Sequence, residues 1–312
     1  TDRDTVLVYG GPYTGPENRG IDFEGKAITV RAPEGPWLTT IDCGGEDRAF
    51  LFENEEWWTS VLDGFMIRNG GGGVSGAAVY CDDAASPTIR NCVFAYNNGA
   101  HGGAMAISGS YINWSKARVI SCVFEGNYAQ YSAGALRMWR ADPFIYDCTF
   151  TGNSTPGGGG AIYANISSPT IVGCTFRGNS GSTGGALYII DNHEYAPLVS
   201  DCLICENEAS SGGGISLASG GTVITRCTIS HNSAADYGGG VFMLTGGAVI
   251  EQSIISFSSG GSGIECYPQS SPQPLVRQCV VFGNAGGDSL LCGPYHDNLF
   301  VECHWGVDVG PR

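Results

Sequence analysis

The sequence predicts an all-β solenoid, a right-handed single-stranded parallel β-helix of about ten coils with three short strands per coil. Three observations lead there. A cysteine-anchored unit recurs along most of the chain, an asparagine keeps step with it, and glycine is abundant while charged residues are scarce.

The unit is plain in Asn91-Cys92-Val93-Phe94, Ser121-Cys122-Val123-Phe124, Asp147-Cys148-Thr149-Phe150 and Gly173-Cys174-Thr175-Phe176. It continues at Cys202, Cys227, Ser253 and Cys279, with anchor spacings of 30, 26, 26, 28, 25, 26 and 26 residues. A further copy is expected to start at Gly64. Two positions after each anchor stands an apolar residue: Met66, Phe94, Phe124, Phe150, Phe176, Ile204, Ile229, Ile255, Val281. Five positions after it stands Asn69, Asn97, Asn127, Asn153, Asn179, Asn207, Asn232 or Asn284, with Ser258 as the exception. A β-branched residue stands three positions before each anchor from Ile89 to Val276, and a Gly-rich step such as Gly159-Gly160-Ala161 follows the asparagine.

A unit of this length cannot bury an apolar face alone, but stacked units can. Strands one coil apart then lie about 4.8 Å from each other, so about ten coils make a rod on the order of 50 Å long. Equivalent side chains fall into columns. Asn97, Asn127, Asn153, Asn179, Asn207, Asn232 and Asn284 are expected to form an amide ladder. Cys92, Cys122, Cys148, Cys174, Cys202, Cys227 and Cys279 are expected to form a buried thiol column, since cysteine packs as a small hydrophobe. Neighbours in that column point their Cβ atoms alike, which disfavours disulfides. Cys266 and Cys292 share another register and are the best disulfide candidates.

Composition agrees. Gly is 49 of 312 residues and charged residues are 14%, which excludes a helical bundle and favours short strands joined by tight turns. The recurrent Val, Ile and Phe exclude a disordered chain. Residues 1–63 read as less regular N-terminal coils, with strands around Ala27-Ile28-Thr29-Val30, Thr40-Ile41-Asp42 and Ala49-Phe50-Leu51-Phe52 and turns at Pro12, Pro16, Pro33 and Pro36. Residues 64–312 read as regular coils ending in a short one.

The repeated Cys-x-Phe-x-x-Asn, the Gly-Gly-Ala-(Ile/Leu)-Tyr steps, Ser86-Pro87-Thr88-Ile89 and the opening Asp4-Thr5-Val6-Leu7-Val8 resemble the secreted bacterial right-handed parallel β-helix repeat proteins. The resemblance covers nearly the whole chain. It implies an extracellular or cell-surface setting and leaves the activity open. The chain starts at Thr1-Asp2-Arg3-Asp4 without a signal peptide, so a mature secreted chain is expected.

A formal net charge of −15 opposes binding to nucleic acid and to anionic lipid. No stretch is long and apolar enough to insert into a membrane. No cofactor is implied. Calcium suits the acidity, but no residue pattern supports it. Cys202-x-x-Cys205 lacks a second pair for zinc, and Cys303-His304 lacks the second cysteine of a haem attachment site.

Catalytic signals are weak. Asp82-Asp83 is the one adjacent acidic pair in the regular coils, and His101-Gly102 follows at a distance loosely similar to that in polygalacturonases. The Asn-Thr-Asp and Arg-Ile-Lys elements of that family are absent, so turn chemistry is the simpler reading. The turn after the Gly-rich strand is more suggestive. It varies in length and holds Tyr111 and Trp114, then Trp139, Arg140 and Asp142, then Asp191, His193, Glu194 and Tyr195 along one edge of the rod. Aromatic rings beside carboxylates suit sugar faces and hydroxyls. Trp57-Trp58 reads as cover for an irregular N-terminal coil, or else as a contact surface.

The expectation is therefore a non-catalytic surface or structural protein with an adhesive or self-assembling role, including end-to-end association through open strand edges. The alternatives are a glycan-binding module and a polysaccharide lyase or hydrolase.

Overall fold

The computed structural model describes residues 3–285, apart from 191–194, 219, 268–271 and 273. Asp191, His193, Glu194, Cys292, Cys303 and His304 lie outside the described residues. The rest forms a right-handed parallel β-helix with three strands per coil. Its three long sheets hold 11, 10 and 10 strands, and every neighbouring pair joins strands one coil apart. The first sheet runs from Thr5–Leu7 to Leu275–Arg277, the second from Thr40–Asp42 to Val280–Phe282, and the third from Ile21–Asp22 to Ile264–Cys266.

One coil illustrates the local logic. Thr88–Arg90 lies in the first sheet, and its central residue Ile89 points inward. Asn91 then adopts a left-handed backbone (φ 53) and turns the chain into Val93–Ala95 of the second sheet. Ser121, Asp147, Asp201, Arg226, Gln252 and Gln278 hold the same conformation in later coils, with φ of 50 to 56. Such a backbone costs a non-glycine residue about 1–2 kcal/mol. Here the next side chain, the anchor cysteine or Ser253, is thereby delivered to the core.

Pairing is in register throughout the regular coils: Phe94 with Phe124, Phe124 with Phe150, Phe150 with Phe176 and Phe176 with Ile204. Ring centroids in this column are 4.9, 4.6 and 4.8 Å apart. The strand separation imposes that face-to-face spacing, although isolated rings prefer offset or edge contacts.

The asparagine column is continuous from Asn97 to Asn232. Asn127 Nδ2 donates to Asn153 Oδ1 at 2.9 Å and to Phe94 O at 2.9 Å. Asn153 Oδ1 also accepts from the Asn127 backbone N–H at 3.0 Å. Both amide hydrogens and both oxygen lone pairs are thus used, which removes the penalty for burying the group. At Ser258 the column is interrupted. The Ser258 N–H still donates to Asn284 Oδ1 at 2.9 Å, but the buried Ser258 hydroxyl has no hydrogen-bond partner.

The thiols stack as expected. Cys92, Cys122, Cys148, Cys174, Cys202, Cys227 and Cys279 are buried and unbridged. Each directs its sulfur at the carbonyl two residues earlier, at 3.1–3.5 Å. Burial pushes the Cys122 thiol well above its ordinary value, and hydrogen bonding among neighbouring thiols adds to this. Cys266 is buried at the end of a third-sheet strand and is disulfide-bonded. Its expected partner Cys292 falls outside the described residues.

Glycine is required where coils touch most closely. A Cβ on Gly103, Gly134, Gly160 or Gly185 would stand 2.0–2.2 Å from the carbonyl oxygen of the equivalent glycine one coil on.

The coil starting near Gly64 departs from expectation. Val93 pairs with Met66 and Phe94 with Ile67, so the copy is shifted by one residue. Ile67, not Met66, fills the apolar column, and Phe65 takes the place of the anchor cysteine. Asn69 stands outside the ladder. Gly70 takes its place and gives its N–H to Asn97 Oδ1, while Asn69 donates to Asp42. A slip of one residue reverses every side chain on a strand, so the buried Phe65 and Ile67 decide the register.

A fourth, short ladder was not foreseen. Asn98–His101 pairs with Tyr128–Ser132, and Glu208–Ser211 with Ser233–Tyr237. It follows the asparagine and stiffens that turn.

Candidate functional site

The turn between the third and first sheets is the variable edge of the rod. It spans four residues at 140–143 and nine at 109–117, by the bounds of the flanking strands. Its short forms follow a tight path along the coil below, whereas the nine-residue form projects. Ser110 folds that loop back by accepting from Asn113 N–H at 2.9 Å. Tyr111 and Ile112 are thereby left 85% and 88% exposed.

The aromatic residues expected along this edge divide into two groups. Trp114, Asp142 and Tyr195 line one open groove of about 500 Å³. Tyr111 instead stacks under Arg140, whose guanidinium lies 3.7 Å from the ring centroid. Trp139 is half-buried at the end of Leu136–Trp139, with Arg137 5.0 Å and Arg140 5.9 Å from its ring. Each of these pairings is a cation–π contact that fixes a long side chain.

The groove also takes Glu55, Trp57 and Lys116, none of which was placed there from sequence. Trp57 comes from the turn two coils before Trp114. The signal was present, because Phe50–Phe52 pairs with Val79–Cys81 and residues after Phe52 therefore occupy the same edge. The groove floor is held by ordinary turn chemistry. Asp142 Oδ1 accepts from Ser168 N–H at 2.9 Å, and the Ser168 hydroxyl donates to Tyr195 O at 2.5 Å. Ser115 is buried and donates to Ala85 O at 2.6 Å, tying the projecting loop to the preceding coil. Three ring systems, two carboxylates and one ammonium thus surround a space open to solvent.

The weak catalytic candidates do not converge. Asp82 follows the third-sheet strand Val79–Cys81 and accepts the Tyr80 hydroxyl at 2.9 Å. Asp83 holds a left-handed turn conformation at φ 46. His101 lies at the other end of that strand, where its carbonyl accepts from Gly76 N–H. Its Nδ1 is 2.8 Å from Ser132 Oγ and its ring lies against Tyr131. Burial, and then the nearby Arg137 charge, lower its pKa. Asp82 and His101 are separated by the length of a strand, too far to share a proton or a reacting atom.

Among the described residues no cluster of three or more His, Cys, Asp or Glu could hold a metal ion. No helix among them is long and apolar enough to cross a membrane.

The sequence pattern describing a right-handed β-helix region matches residues 51–222 and 196–304. This chain belongs to the right-handed β-helix family. No curated protein and no solved structure matches it. The family match covers the coils that build the groove from Trp57 to Tyr195, so the site is part of the β-helix rather than an added module.

Proposed function

We propose that this β-helix protein acts outside the cell without catalysis, holding a glycan in the edge groove and so serving an adhesive role. The observation that carries the reading is the convergence of Trp57, Trp114 and Tyr195 with Glu55, Lys116 and Asp142 around one open groove. Ring faces supply the apolar contact that sugar C–H surfaces take up, and carboxylate and ammonium groups supply hydrogen bonds to hydroxyls. The separation of Asp82 from His101 favours binding over bond cleavage. A glycan array with the parent chain, Trp57→Ala and Trp114→Ala tests this. Binding to a defined glycan that falls about tenfold in each variant supports it. A parent chain that retains no glycan contradicts it.

One observation favours a second reading, a rod that associates end to end. The edge strand Thr5–Leu7 and the neighbouring Tyr9, Trp37 and Leu38 expose large apolar side chains at one end of the stack. Light scattering across a concentration series decides it. Growth in mass with concentration supports association, and a constant monomer mass contradicts it.

A further inference from the structure

Arg137 is a half-buried cation without a counter-ion. It stands on the outer face of the third sheet, in Leu136–Trp139. Leu136 and Met138 fill the core, so strand alternation sends Arg137 and Trp139 outward. Elsewhere on the surface arginines meet carboxylates, as Arg177 meets Glu206 and Arg226 meets Asp201. The Arg137 guanidinium lies 5.0 Å from the Trp139 ring centroid, and among the described residues it forms no ion pair and no hydrogen bond. Its Nε is buried without an acceptor, and burial holds its pKa below the ordinary arginine value. A buried donor or charge in this state is costly until something accepts from it.

The sheet register surrounds Arg137 with further donors. Its strand neighbours are Ala106, which offers only a methyl group, and Tyr163. The Tyr163 hydroxyl accepts from Asn165 Nδ2 at 3.1 Å, which leaves its own hydrogen to donate. The fourth ladder closes the other side. A Cβ on Gly102 would stand 3.1 Å from the Arg137 backbone nitrogen, so His101 is carried alongside. His101 Nδ1 engages the Ser132 hydroxyl at 2.8 Å, which leaves Nε2 for a ligand. Ser132 and Tyr131 face the imidazole from the next coil and Arg137 faces it from the third sheet, and none of them is acidic.

We infer that Arg137, Tyr163 and His101 form a binding site for a phosphate or sulfate group. Donors without acceptors converge there from three strands. A guanidinium fork matches such oxyanions in a bidentate manner, and the flanking donors suit a tetrahedral group better than a flat carboxylate. The net charge of −15 repels anions at a distance, so the affinity comes from these contacts. The site lies on a different sheet from the edge groove, shares no residue with it, and stands or falls separately from it.

The test is calorimetric titration of the full chain with sulfate, whose charge does not change over the working pH range. Sulfate is expected to bind with a Kd of about 1 mM or tighter, and more tightly at about pH 5 than at about pH 8, where His101 is neutral. Acetate at the same ionic strength should bind at least about tenfold more weakly. Arg137→Gln should cost about tenfold. Tyr163→Phe keeps the ring and should cost about threefold, an independent readout should Arg137→Gln disturb folding. Arg177→Gln, which removes the same charge from an exposed position on the second sheet, should cost nothing. Inorganic phosphate and phenyl phosphate separate the sources. Tighter binding of phenyl phosphate supports the inference with an ester as the ligand, and equal or weaker binding supports it with the free ion. No binding of sulfate, equal affinity for acetate, affinity independent of pH, or equal behaviour of the Arg137 and Arg177 variants would overturn the inference.

Discussion

Two turns of the same coil behave in opposite ways. The turn after the second sheet carries Asn97, Asn127, Asn153, Asn179, Asn207 and Asn232, each buried and bonded to the next. The turn after the third sheet varies in length and side chain, exposes Tyr111 and Ile112, and opens the groove. The difference lies in what each turn touches. The first meets its own copy above and below, so any change breaks bonds in two coils. The second meets solvent and is free to diversify. Identity is enforced where coils contact each other, and binding chemistry gathers where they do not.

This contrast is breakable at its core. Phe150 is stacked between Phe124 and Phe176, and Phe150→Ala should lower stability by about 4 kcal/mol, read from urea denaturation. Asn153→Ala should cost about 3 kcal/mol, because the Asn127 N–H and amide and the Phe124 carbonyl lose their partner in a dry interior.

The interrupted ladder sharpens the comparison. Ser258 leaves a buried hydroxyl unpaired in a coil of ordinary length. Ser258→Asn should rejoin Asn232 to Asn284 and raise stability by about 1 kcal/mol. A destabilised variant would mean that the coil differs from its neighbours in more than this side chain. At the edge, Trp114→Ala should change stability by no more than about 0.5 kcal/mol while weakening glycan retention. A large loss of stability would make Trp114 part of the framework rather than of a site.

What the sequence disclosed follows the same division. The cysteine, phenylalanine and asparagine columns could be read directly, because each position repeats one residue type where coils touch. The coil at Phe65 was misread by one residue. There Gly64 and Asn69 imitate the repeat, but the buried pair Phe65 and Ile67 sets the strand. The left-handed turn residues were invisible, since Ser121, Arg226 and Gln278 share a backbone conformation and no chemistry. In the groove, Trp114, Asp142 and Tyr195 could be placed from their common edge. Tyr111 and Arg140 could not, because they satisfy each other. Trp57 was singled out as cover or a contact surface but not placed on this edge, because its coil lacks the cysteine and asparagine landmarks.

The account rests on bonding between coils, and a double-mutant cycle on Asn127 and Asn153 measures it most directly. Asn127→Ala, Asn153→Ala and the double variant, each unfolded in urea, should give a coupling of about 1–3 kcal/mol, since the second deletion removes bonds the first has already broken. Strictly additive losses would contradict the account, because the two amides would then be energetically independent and the ladder would not join the coils.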